Sequence, residues 1–157
     1  MLAFENGRAK IKPTKSLNYV KGLREALKTI NATQSDQYSW IAKVGDVVIF
    51  TAEIDHRDSV NNRYDHKEGT FHKKVEPLTV NDGAAGQTVR HYKELFAAVS
   101  QAYSGNLVCK LMLLKGTKSG TTRGGVKAAI DGDNWVVENL SGNISDGFEF
   151  DLVRVGD

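Results

Sequence analysis

The sequence predicts an α+β fold: about seven mostly antiparallel strands curled into a partial or pseudo-barrel, with two amphipathic helices at about 16–32 and 88–103. Three observations lead there. Apolar runs of strand length follow one another within residues 40–54 and again within 107–155, with no helical pattern inside either stretch. Helical spacing recurs in only two windows, too few to supply the crossovers of a parallel sheet. The chain of 157 residues, 40% apolar and 25% charged, matches one ordinary globular domain, 1–157.

Ala3–Lys12 reads as a short strand or hairpin around Glu5-Asn6-Gly7, because Asn-Gly favours a tight turn. Val20, Leu23, Leu27 and Ile30 then recur at spacings 3, 4 and 3, which predicts the first helix, with Ser16 as its N-cap. Trp40–Val44, Gly45-Asp46 and Val47–Ile54 read as strand, turn, strand. Asp55–Gly69 reads as a long polar connection, Thr70–Val75 as a strand and Pro77–Gln87 as a loop. Tyr92, Leu95, Phe96, Val99 and Tyr103 share one face of the second helix, which Ser104-Gly105 stops. Leu107–Leu114, Val126–Ile130 and Trp135–Leu140 are strands, the last two separated by a turn at Asp131-Gly132-Asp133. After a turn at Ser141–Gly147, buried Phe148, Phe150 and Leu152 alternate with outward Glu149 and Asp151.

The net charge of +2 conceals a segregation. Residues 1–28 and 110–127 each carry +5, and residues 128–157 carry −6 with Arg154 as their single basic side chain. Clustered cations create a local positive field that a polyanion feels even when the whole chain is near neutral. In the first basic segment Lys10, Lys12 and Lys15 precede a stripe of Lys21, Arg24 and Lys28 on the predicted helix. In the second, the loop Lys115–Gly125 combines glycines that let backbone approach a ligand, hydroxyls of Ser119, Thr121 and Thr122, and the cations Lys115, Lys118 and Arg123. It is not a nucleotide-binding P-loop, since no Lys follows its second Gly and strands flank it.

Asn61, Asn62, Arg63, His72, Lys73 and Lys74 are of the donor and acceptor types that read base edges. Tyr64 and Phe71 are placed to stack on a base or wedge against a sugar. Together with the basic segments they predict a non-catalytic nucleic-acid-binding domain, for duplex DNA rather than RNA. Phosphates would be held by Lys10, Lys12, Lys15 and the 115–123 loop, and base edges by 61–64 and 72–74. The acidic C-terminal strands would form the far side and orient the polyanion.

Two other classes compete with this one. Asp55, His56, Asp65, His66 and His72 offer imidazole and carboxylate for a metal-dependent phosphodiesterase, at intervals that match no ligand pattern. A phage or bacterial protein binding a protein partner or a nucleotide would also suit two basic segments. Nucleophilic catalysis has no support: Cys109 sits inside an apolar run, and no G-x-S-x-G elbow exists. Asp131, Asp133, Glu138, Asp146, Glu149 and Asp151 read as turn and outward-facing acids rather than a glycosidase pair, and Trp40 and Trp135 as core aromatics.

One cysteine excludes a disulfide framework or a thiolate zinc site. The N-terminus turns to charge after four residues and no apolar run is of membrane-spanning length, so a cytoplasmic location is expected, with no membrane association and no cofactor. The order of elements is compatible, at the level of fold alone, with pseudobarrel DNA-recognition modules of the restriction or phage-related kind. The chain would then be complete, or the N-terminal recognition module of a larger protein.

Overall fold

The computed structural model describes residues 9–35, 39–54, 61–78, 86–115 and 126–156. In chain order the elements are β1 (Val20–Lys21), α1 (Leu23–Thr29), β2 (Ile41–Val44), β3 (Val47–Glu53), β4 (Asn62–Asp65), β5 (Thr70–Val75), α2 (Gly86–Ser104), β6 (Cys109–Lys115), β7 (Lys127–Asn143) and β8 (Gly147–Val155). The strands form one sheet in the order β2-β3-β6-β7-β8-β5-β4, with β1 pairing β7 off that path. All pairs are antiparallel except β3–β6, where β4, β5 and α2 lie in the connection. The sheet is not closed, yet it curls far enough that β3, near one edge, contacts β4 at the other. The partial barrel expected from the sequence is therefore an open, curled sheet.

Its inner face carries the main core. Phe50, Ala52, Leu111, Leu113, Phe71, Phe150 and Leu152 alternate inward along their strands, and α2 covers them with Tyr92, Leu95, Val99 and Ala102. Phe148 ties helix to sheet, its ring centroid 5.0 Å from Phe96 and 5.5 Å from Tyr92. Tyr103, expected on the buried face of α2, is exposed instead. On the outer face α1 packs Ala26 and Leu27 against Ala42, Ile49, Met112, Leu114 and Ala128. Among the described residues no helix is long and apolar enough to cross a membrane.

Several elements differ from the sequence expectation, each for a local reason. The first helix covers Leu23–Thr29, not 16–32, and Gly22 rather than Ser16 precedes it. Gly22 has φ +89°, a left-handed conformation that breaks a helix and suits glycine. Val20 and Lys21 before it are extended against Ala128 and Lys127, so Val20 joins the α1 cluster from a strand. Asn31, at φ 56°, follows the other end. The polar connection 55–69 contains a strand, β4, whose alternation is masked because its inward residues, Asn62 and Tyr64, are polar-tipped.

The turn expected at Asp131–Asp133 is a bulge inside a single long strand. Cys109 pairs Trp135 while Leu111 pairs Asp131, so β7 carries two more residues than β6 over that stretch. The turn-forming side chains serve the bulge: Asp131 Oδ1 accepts from the Asp133 N–H at 2.9 Å, and Lys110 Nζ donates to the Gly132 carbonyl and to Asn134 Oδ1. The later turn narrows to residues 144–146.

The bulge aims both aspartates at Arg154, which is fully buried. Arg154 Nη2 lies 3.3 Å from Asp131 and Nε 3.2 Å from Asp133, and the guanidinium sits 4.8 Å over the Trp135 ring. Nη1 donates to the His66 carbonyl at 2.8 Å. Asp133 also accepts from the Thr14 N–H and hydroxyl, anchoring the N-terminal segment. These two acids are thus internal counter-ions, not the turn acids the sequence suggested. Glu149 and Asp151 do face outward as expected.

Cys109 is buried and its thiol donates to the Trp135 carbonyl at 3.2 Å. Burial pushes its pKa up to about 12, slightly opposed by Lys110. The folded protein should therefore resist iodoacetamide at pH 8, while the urea-unfolded chain reacts fully; equal rates would contradict the buried thiol. The sign for stability follows: above about pH 9 the unfolded thiol ionises and the folded one does not, so this group lowers stability as pH rises toward 12.

Candidate nucleic-acid interface

The two basic segments meet in space. Lys21 is the register partner of Lys127, and Lys127 is the register partner of Lys115, so three exposed lysines stand in one row across β1, β7 and β6. Neighbouring strands are ~4.8 Å apart, which makes the row a compact cationic strip. Val20, Ala128 and Leu114, one residue along, belong to the α1 cluster, so the lysines occupy the opposite face. Lys115 Nζ also lies 4.1 Å over the Tyr19 ring, which fixes that ammonium without neutralising it. Arg24 and Lys28 are exposed on α1.

Like charges directly opposite one another in a sheet repel. A row of three is stable only because water and salt screen it, and an anion placed along it would relieve the repulsion. The sequence joins Lys115 to Lys127 through 116–126, of which 116–125 lie outside the described residues. The predicted contacts Lys118, Ser119, Thr121, Thr122 and Arg123 fall within 116–125.

The predicted base-reading residues divide into two groups. Asn61, Asn62, Lys73 and Lys74 line a cleft of about 520 Å³ at the seam of the curled sheet, whose other wall includes Glu53 and Leu114. Leu114 and Lys115 point to opposite faces of β6, so the seam cleft and the lysine row open on different faces there. Burial lowers the Lys73 pKa below the ordinary lysine value, with Glu53 opposing that shift. Asn62 Oδ1 is buried and accepts no hydrogen bond from any described residue. Lys74 is exposed, 4.0 Å from Glu76.

Arg63, Tyr64 and His72 line a second concavity of about 630 Å³, which Asn62 shares. His72 Nδ1 lies 2.6 Å from Asp151 and Nε2 3.3 Å from Glu149, so both ring nitrogens are engaged by carboxylates. Asn139 donates to the same Asp151 at 2.9 Å. Exposed Arg63 is the register partner of His72. The acidic β8 therefore flanks these residues instead of lying on a separate far side. Measured from the lysine row, though, Glu138 stands eleven residues along β7, at most about 36 Å at ~3.3 Å per residue. The sheet has a basic end and an acidic end.

Tyr64 faces inward, its hydroxyl 2.7 Å from His66 Nδ1 and its ring centroid 6.4 Å from that of Trp135. Burial, and next the Asp131 charge, raise its phenol pKa. The ring is occupied by the core, and Phe71 is buried too. Of the N-terminal lysines, Lys10 pairs Glu68 at 3.3 Å, Lys15 donates to the Gly132 carbonyl at 3.1 Å, and Lys12 is exposed. Sequence reasoning left Lys127 and Lys21 out of the site; their signal was present as charge, but only strand register places them together.

For the metal reading, Asp55 and His56 lie outside the described residues. Among the described residues no three His, Cys, Asp or Glu side chains are grouped to hold a metal ion. Comparison of the chain with family models, with curated proteins and with solved structures finds no match, so the geometry of the lysine row and of the seam cleft is what any functional reading rests on.

Proposed function

We propose that this protein binds nucleic acid, duplex DNA in preference to RNA, through its basic end and without catalysing a reaction on it. The observation that carries the reading is the row Lys21, Lys127 and Lys115, built by register from two segments that are far apart in sequence. Phosphates laid along the row would relieve its internal repulsion, and the counterions they release would make binding salt-dependent. The acidic end, with Glu138, Asp151 and Glu149, repels the same polyanion and so favours one orientation.

The test is fluorescence anisotropy with labelled mixed-sequence duplex DNA at about 50 and 200 mM salt. Three or more phosphate contacts should lower affinity at least about tenfold over that range. Absence of binding at the lower salt would refute the reading. Affinity that does not change with salt would place the contact elsewhere than on the lysines.

A further inference from the structure

We propose that the seam cleft takes one unstacked nucleotide whose base carries an exocyclic amino group, adenine or cytosine. Asn62 would accept from that amino group and Lys73 would donate to the adjacent ring nitrogen. This rests on the nucleic-acid reading above and specifies what its strand would insert.

Four observations carry it. The cleft holds about 520 Å³, within the range of small-ligand sites. Asn62 Oδ1 is a buried acceptor to which no described residue donates, and an unmatched buried acceptor costs free energy that a ligand N–H would recover. Lys73, its register partner on β5, brings a desolvated amine to the same space, and half-buried Trp40 adds an aromatic wall. Exposed Lys74 also lines the cleft and offers a cation to the nucleotide's phosphate.

The donor and acceptor pattern sets the base. On the Watson–Crick edge adenine and cytosine each present an amino donor beside a ring-nitrogen acceptor, the complement of an amide oxygen beside an ammonium, whereas guanine sets its amino group beside a ring N–H there. Thymine and uracil present a carbonyl and an N–H there, leaving the Asn62 oxygen facing an acceptor and Lys73 facing a donor.

The experiment compares a fully paired duplex with duplexes carrying one central bulged A, C or T, by anisotropy at about 100 mM salt. Bulged A and C should bind about tenfold tighter than bulged T or the paired duplex, the ratio expected from one satisfied buried polar group. Asn62→Leu should abolish that preference. Lys73→Gln, a second route that keeps Asn62, should reduce the preference too. Equal affinities for all four duplexes, with salt-dependent binding intact, would overturn the cleft proposal and leave the nucleic-acid reading standing. If no oligonucleotide binds at any salt, that reading fails, and calorimetry with free AMP and CMP decides the cleft. Binding lost in Asn62→Leu upholds it with a free nucleotide as ligand, and no binding overturns it.

Discussion

Arg154→Met should destabilise the protein by about 3–5 kcal/mol, the cost of leaving buried carboxylates without their cation. Arg154 is fully buried, and Asp131 and Asp133 both direct an oxygen to it within 3.3 Å. Methionine matches much of the side-chain length but supplies no donor, so both acids would face the core uncompensated. The same guanidinium carries the His66 carbonyl, and the Arg154 N–H donates to the Gly69 carbonyl at 2.8 Å. The turn at 66–69 and the N-terminal segment, which is anchored through Thr14 and Ile11, should therefore loosen with it. For a domain whose total stability is typically 5–15 kcal/mol, the variant would be marginal at room temperature. Urea denaturation measures this. Adding Asp131→Asn and Asp133→Asn should recover part of the loss, because the penalty lies in unpaired charge. A loss below about 1 kcal/mol for Arg154→Met would show that the acids find another partner.

The second large effect concerns binding. Replacing Lys21 and Lys127 with Glu should weaken duplex binding at about 100 mM salt by at least about a hundredfold, since two attractive contacts become repulsive. The fold should not suffer. Both side chains are exposed, and the change turns the 127–115 pair into an opposite-charge one while leaving the 21–127 pair like-charged, as it is in the natural sequence. Lys115 keeps its place over Tyr19. An unchanged melting temperature together with unchanged affinity would remove the row from the interface.

Much of the fold was legible because binary patterning speaks directly. β5 has the predicted bounds, α2 extends two residues before and one after its predicted span, and the β2–β3 hairpin turns at Gly45-Asp46 as the sequence indicates. What failed did so where one local signal serves two structures. Asp131-Gly132-Asp133 has turn chemistry whether the chain reverses or bulges, and only the long-range demand of Arg154 selects the bulge. Apolar spacing across Val20–Ile30 is helical, but the pairing of Val20 with Ala128 and the backbone of Gly22 claim its first turn for a strand. β4 escaped notice because its inward side chains, Asn62 and Tyr64, are polar-tipped residues whose burial depends on partners far along the chain.

The site was legible in its parts and not in its assembly. Charge counting found both basic segments, and the residue types at 61–64 and 72–74 marked a polar surface. That Tyr64 turns inward, that His72 is held between Asp151 and Glu149, and that Lys21 stands beside Lys127 depend on strand register. Register is set by the whole sheet, which single-segment patterns do not encode.

The most direct measurement is the slope of log affinity against log salt for duplex binding, taken for the natural sequence and for Lys21→Gln plus Lys127→Gln. Each phosphate contact contributes about 0.9 to that slope, so the substituted protein should show a slope shallower by about 2 with weaker binding to all sequences alike. Identical slopes for the two proteins would contradict the claim that the lysine row holds the polyanion.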